Sequence, residues 1–259
     1  MPSTTRNSLP APLDTVGVQL YTVRDALKAD FDGTLAAIAE MGYDAVEFAG
    51  YHDRSPHEVK ALTDRLGLAT PSVHVLPGHI RKRADDILGA AQIMEHEYVV
   101  CAYLMEEDRG SLDAYRDIAA LLEDFGKRCA SKGIQLAYHN HDFEFQPIEE
   151  TVPYDLLLQE TSPEAVKMEL DLYWIHVAGH DAATYMQAHP GRFPLWHLKD
   201  WGPDGAMKPV GTGEIDFASI FEHAEAAGLQ HAFVEHDDPD DPMASIQTSL
   251  NHLRPSGAE

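Results

Sequence analysis

Cysteine is nearly missing from this 259-residue chain, which carries only Cys101 and Cys129. With no paired-cysteine spacing, a disulfide scaffold and a thiolate zinc site are both excluded, and a reducing, cytoplasmic setting is expected. Basic residues are scarce too: 19 Lys and Arg stand against 43 Asp and Glu, for a formal charge of −24. Such a surface repels phosphate backbones and anionic bilayers, so neither nucleic acid nor a membrane is an expected partner. No apolar run approaches the roughly 18 residues of a membrane span. The opening MPSTTRNSLPAP lacks the apolar centre of a signal peptide and reads as a flexible lead over residues 1–13. No GxGxxG follows the first apolar run, which removes the usual support for a dinucleotide site.

What is present is one pattern repeated eight times. Short apolar runs at 16–21, 45–48, 69–75, 98–102, 134–139, 166–170, 194–198 and 232–235 read as strands. Helical spacing follows at 31–41, 55–66, 84–96, 111–132, 154–160, 181–188, 216–227 and 242–253. Ser55 and Asp216 stand at helix starts, and Gly42, Gly67, Gly133 and Gly228 at helix ends. Strands alternating with helices imply a parallel sheet, and eight units over residues 14–259 predict a single (β/α)8 TIM barrel rather than an open doubly wound sheet. Hydrophobic residues make up 44% of the chain, enough for the core of one such domain.

The densest chemistry lies at 134–145, IQLAYHNHDFEF, where an apolar lead passes into His139, His141, Asp142 and Glu144. Side chains alternate along a strand, so His139 and His141 share a face. Glu47, His74, His139, Asp171, His197 and Glu235 all fall at or near the C-terminal end of a proposed strand, the end where barrels of this kind build their sites. Carboxylates mixed with imidazole suit manganese, zinc, cobalt or iron(II), whereas magnesium and calcium prefer oxygen alone. One divalent ion is therefore expected, manganese first. Beside it, sugar oxygens would be held for removal of a proton next to a carbonyl.

GVQLYTVRD (17–25), YHNHDFEF (138–145), ELDLYWIHVAG (169–179), WHLKDW (196–201), VGTGEIDF (210–217) and FVEHD (233–237) together resemble the sugar phosphate isomerase/epimerase family of the xylose-isomerase-like barrels. The resemblance implies a metal-dependent enzyme acting on sugars or keto-sugars through an enediolate. It also implies a Glu, Asp, His, Glu metal quartet on strands five to eight, of which Asp171, His197 and Glu235 match the last three. The strand-five position holds His139, so either a histidine fills the ligand place or Glu144 reaches back to the ion. Expected roles follow: His139, Asp171, His197 and Glu235 on the metal; His141, Glu144, Glu235 and Lys199 in proton transfer and charge stabilisation; Gln19, Glu47, His74 and Trp201 on the substrate. Lys208 and residues 210–213 read as a loop at the mouth. A histidine base suits elimination or hydration of a 3-keto-glycoside equally well. A non-catalytic sugar-binding barrel and an abasic-site DNA endonuclease are the alternatives from other classes, and the charge of −24 counts against the second. The acidic composition favours a neutral sugar over a phosphorylated one, and such barrels commonly form homo-oligomers.

Overall fold

In the computed structural model, which describes residues 15–254, eight parallel strands close into a barrel wrapped by helices. The lead read at 1–13 lies outside the described residues. Around the barrel run β1 (Gly17–Gln19), β2 (Ala45–Phe48), β3 (Ala69–Val75), β4 (Tyr98–Cys101), β5 (Gln135–His139), β6 (Val166–Asp171) and β7 (Leu195–Leu198). A small antiparallel hairpin, β8 (Asp200–Trp201) with β9 (Met207–Lys208), then precedes β10 (His231–Val234), which pairs with both β7 and β1 and closes the ring. Among the described residues no helix is long and apolar enough to cross a membrane.

Local chemistry explains most of the boundaries. The helix Pro56–Leu66 opens on a capping box, with Ser55 accepting from the Glu58 backbone and Glu58 answering to the Ser55 backbone, and it ends on Gly67 at φ 70°. The helix expected at 84–96 instead spans Pro77–Met94, with a break at Arg83, because proline's fixed φ suits a first turn rather than marking a loop. The strand expected at 16–21 stops at Gln19, whose side chain accepts from the Tyr21 amide and turns the chain into the 3-10 segment Leu20–Val23. Asp171 caps an unforeseen helix, Leu172–Val177, by accepting from the Tyr173 and Trp174 amides. The helix expected at 216–227 is capped by Asp216 but divides into Phe217–Phe221 and Ala224–Ala227.

Strand alternation sorts the interior into two storeys. Ala45, Tyr98, Val100, Ala137, Leu195 and Phe233 form a small apolar cluster apart from the main core between strands and helices. Gly17 belongs with them: a Cβ there would sit 2.3 Å from the Phe233 ring. The residues two positions further along the same strands share this inward face, and they are Gln19, Glu47, His139, His197 and Glu235. An apolar plug thus carries a polar storey at the C-terminal end of the barrel.

Candidate metal centre

Three of those polar side chains converge with Asp171, at the end of β6. Ligand atoms of His139, Asp171, His197 and Glu235 lie within 4.8 Å of one another, and all four residues are buried. They come from β5, β6, β7 and the residue following β10, so barrel closure alone brings them together. A second constellation, Glu47, His74, Glu169 and His197, lies alongside and shares His197 with the first.

Hydrogen bonding fixes which nitrogen of each imidazole is free. His139 Nδ1 lies 3.2 Å from the Ala102 carbonyl oxygen, which can only accept, so Nδ1 carries the proton. His139 Nε2 then turns a lone pair toward Asp171 Oδ2, 3.2 Å away. His197 Nε2 donates to Glu47 Oε1 at 2.8 Å, and Gln19 Nε2 donates to the same oxygen at 2.7 Å. His197 Nδ1 faces Glu235 Oε2 at 2.8 Å, and the same oxygen lies 2.7 Å from Lys199 Nζ. Two such atoms this close and this buried need a proton or a metal ion between them. A borderline divalent ion would serve all four donors at once, and the N2O2 donor set suits one. The residues present fit a divalent ion.

Charges within the cluster act strongly on one another. Burial works against charge on the His197 ring, yet Glu169 and Glu235 hold it well above the ordinary imidazole range. Burial likewise pushes the Glu235 carboxyl up, and Lys199 and His197 overrule it and keep it well below the usual carboxylate range. Lys199 is fully buried; its Nζ contacts Asp171 Oδ2 at 3.0 Å, Glu235 Oε2 at 2.7 Å and Asp237 Oδ1 at 2.7 Å. Those carboxylates outweigh desolvation and hold its ammonium well above the usual lysine range. Lys199 is thus a cation held among three carboxylates.

The other expected site residues divide by position. A cavity of about 880 Å³ opens over the donors, and His74, His139, His141, Lys199 and Glu235 line it together with Tyr51, Tyr103, Arg109, Phe143, Trp174 and Asp237. His141 is held well below the usual imidazole range, first by burial and then by His139 and Lys199, so its ring is neutral, and Nδ1 has no hydrogen-bond partner. Gln19 and Glu47 sit beneath the cavity as supports for His197, not on its wall. His74 bridges Glu47 Oε1 at 3.0 Å and Glu169 Oε2 at 2.7 Å. Trp201 lies in the hairpin with its ring 5.0 Å from His176, away from the wall, and Trp174 takes the aromatic place in the lining.

Glu144 does not reach back to the donor set. Its Oε1 accepts from the Tyr138 hydroxyl at 2.5 Å and its Oε2 from the His141 amide at 2.8 Å. Tyr138 is on the outward parity of β5, so Glu144 faces the helix side and braces the turn that presents His141. Asp200, in the WHLKDW segment, accepts from the Gly211, Gly213 and Ile215 amides and thereby ties down the loop at 210–213.

Glu169 escaped the sequence reading. In VKMELD the apolar Val166, Met168 and Leu170 alternate with Lys167 and Glu169, but β6 is covered on both sides and the apolar set faces the helices. The available signal was parity: Glu169 is two residues before Asp171 and must share its inward face.

The closed barrel agrees with what the chain resembles. The model of the xylose isomerase-like TIM barrel family matches residues 35–256, and the chain belongs to that family. An inosose dehydratase from Geobacillus thermodenitrificans (strain NG80-2) is 28% identical over 142 residues, 48% of this chain and 47% of that protein. The match thus spans about half the length of that curated relative. A sugar phosphate isomerase/epimerase from Parabacteroides distasonis ATCC 8503 superimposes with a TM-score of 0.80 at 24% identity, over 98% of this chain and 99% of that one. IOLI protein with a bound zinc atom superimposes with a TM-score of 0.71 at 17% identity, over 92% of this chain and 96% of that one.

Proposed function

We propose that this chain is a divalent-metal-dependent enzyme that removes a proton next to the carbonyl of a sugar or keto-sugar, with isomerisation or epimerisation through an enediolate as the outcome. The observation that carries the reading is the convergence of His139 Nε2, Asp171, His197 Nδ1 and Glu235 beneath one cavity, with the other nitrogen of each imidazole already committed. Those four residues would hold the ion, and when bound it supplies positive charge beside the oxygens on which the enediolate charge develops. The zinc carried by the IOLI neighbour supports a metal in a barrel of this shape.

The chain's own groups do the rest. His141, neutral and on the cavity wall, takes the proton. Lys199 keeps its ammonium in place against Asp171 and Glu235, adding fixed charge on the side where the substrate oxygens gather. The Trp174 ring lines the same cavity and offers a flat wall to the apolar face of a sugar.

A second reading, loss of water from a keto-sugar, differs only in where the proton goes next. It is favoured by the inosose dehydratase relative and by the count of unpaired bases. Lys199 ties up Glu235 and Asp237, and epimerisation needs a second group on the opposite face, whereas elimination can proceed with the His141 ring alone. The test is solvent deuterium uptake into a panel of ketoses and 3-keto-glycosides, with and without manganese, followed by mass spectrometry for loss of water. Uptake that needs the metal and vanishes in Asp171→Ala is expected. Equal uptake without metal would remove the metal from the chemistry, and no uptake with any substrate would leave a sugar-binding barrel instead.

A further inference from the structure

We propose that Arg109 forms an anion-binding subsite on the outer wall of the catalytic cavity, so that the substrate is a sugar bearing a carboxylate or phosphate away from the carbon that reacts. This rests on the reading of the cavity as a sugar site. It also departs from the composition argument for a neutral sugar, because net charge averages the whole surface while a ligand reads only the wall it touches.

Arg109 is set up to be left over. It ends the acidic turn Glu106–Asp108, but Asp108 spends its carboxylate on Arg81 at 2.7 Å. Arg24, Arg54, Arg81, Arg116, Arg128 and Arg254 each pair with an acid. Among the described residues no carboxylate pairs with Arg109, and its side chain makes one hydrogen bond, from Nη2 to the Tyr103 hydroxyl at 3.2 Å. Asp142 lines the same cavity without joining it. A guanidinium has five N–H donors, so most of the fork is unspent.

The guanidinium is also held in position. Its carbon lies 3.9 Å from the centre of the Phe143 ring and 5.3 Å from that of Tyr103. Stacking of this kind fixes the plane and leaves the edges free, the geometry that accepts a carboxylate or phosphate with two parallel bonds. Phe143 in turn stacks on His141 at 5.4 Å and 6°, and His141 stands 4.9 Å from the metal-centre residue His139. One continuous wall of rings therefore runs from the donors to the cation. At about 880 Å³ the cavity is near the upper end of the roughly 300–1,000 Å³ typical of pockets for drug-sized ligands, leaving room beyond a single sugar ring for a charged group.

Isothermal titration of the manganese-loaded protein with D-glucose, D-glucuronate and D-glucose 6-phosphate tests this. The wild type is expected to bind one of the charged sugars about tenfold or more tightly than glucose, with the preferred anion identifying carboxylate or phosphate. Arg109→Gln should erase the preference and Arg109→Lys should keep part of it, with metal content and melting temperature unchanged. Equal affinity of the wild type for charged and neutral sugars, including no measurable binding of any, overturns the proposal, as does a preference that survives Arg109→Gln. Deuterium exchange separates this from the reading beneath it. Anion preference without exchange sinks the enzyme and leaves the subsite standing, while equal exchange on charged and neutral sugars does the reverse.

Discussion

His197 takes its orientation from Glu47, a residue that the sequence placed against the substrate. By accepting the Nε2 proton at 2.8 Å, Glu47 leaves Nδ1 as the nitrogen facing Asp171 and Glu235. Supports of this kind typically change metal affinity by about 10–100-fold when removed, so Glu47→Gln should weaken manganese binding by that range in a chelator competition. Unchanged affinity would show that His197 is oriented by packing alone. Glu144 makes the opposite lesson concrete. Its carboxyl is pushed up to about 7, chiefly by burial, and spends both oxygens on Tyr138 and the His141 amide. Glu144→Gln can satisfy only one of those donors, which should cost about 1–3 kcal/mol and misplace His141. The expected readout is a fall in turnover with metal content retained. The residue types of the donor set were legible from composition at strand ends, while hydrogen-bond assignments, which separate support from ligand, depend on distances that no one-dimensional pattern carries.

Individual strands and helices explain which parts could be read ahead. Asp171, His197 and Glu235 were legible because each follows apolar residues on a strand that must end at the rim. Glu169 was not, since a strand packed on both faces lets an apolar alternation point to the helices while the polar residues point inward. The helix Leu112–Ala130 meets β6 so closely that a Cβ on Gly126 would stand 2.2 Å from the Ala165 carbonyl oxygen. Gly126→Ala should therefore destabilise the protein by about 1–3 kcal/mol in urea unfolding, although alanine is the better helix former. His96, ahead of β4, ties two elements together: Nδ1 donates to the Thr70 carbonyl and Nε2 faces the Tyr51 hydroxyl at 2.8 Å. Burial pulls its pKa down to about 4, below that of an unfolded histidine. The unfolded chain then binds the extra proton first, so this contribution is present above about pH 6.5 and is lost as the pH falls toward 4. It amounts to on the order of 3 kcal/mol. Thermal unfolding from pH 7 to 4 should fall more steeply for the wild type than for His96→Gln, and parallel curves would remove His96 from the acid response.

Across the whole molecule, the eightfold alternation and the chain length together made the closed barrel legible, because no linker or dinucleotide fingerprint offered another way to use eight parallel strands. The ring order then places residues separated by up to 96 positions, His139 and Glu235, beside each other. An acidic surface surrounds a site whose own carboxylates are balanced by Lys199, His197 and an expected metal ion. Crystals grown with manganese and measured for its anomalous signal test that account most directly. One manganese peak is expected in contact with His139 Nε2, His197 Nδ1 and carboxylate oxygens of Asp171 and Glu235. A manganese-saturated, catalytically active crystal with no peak among those four residues would contradict it.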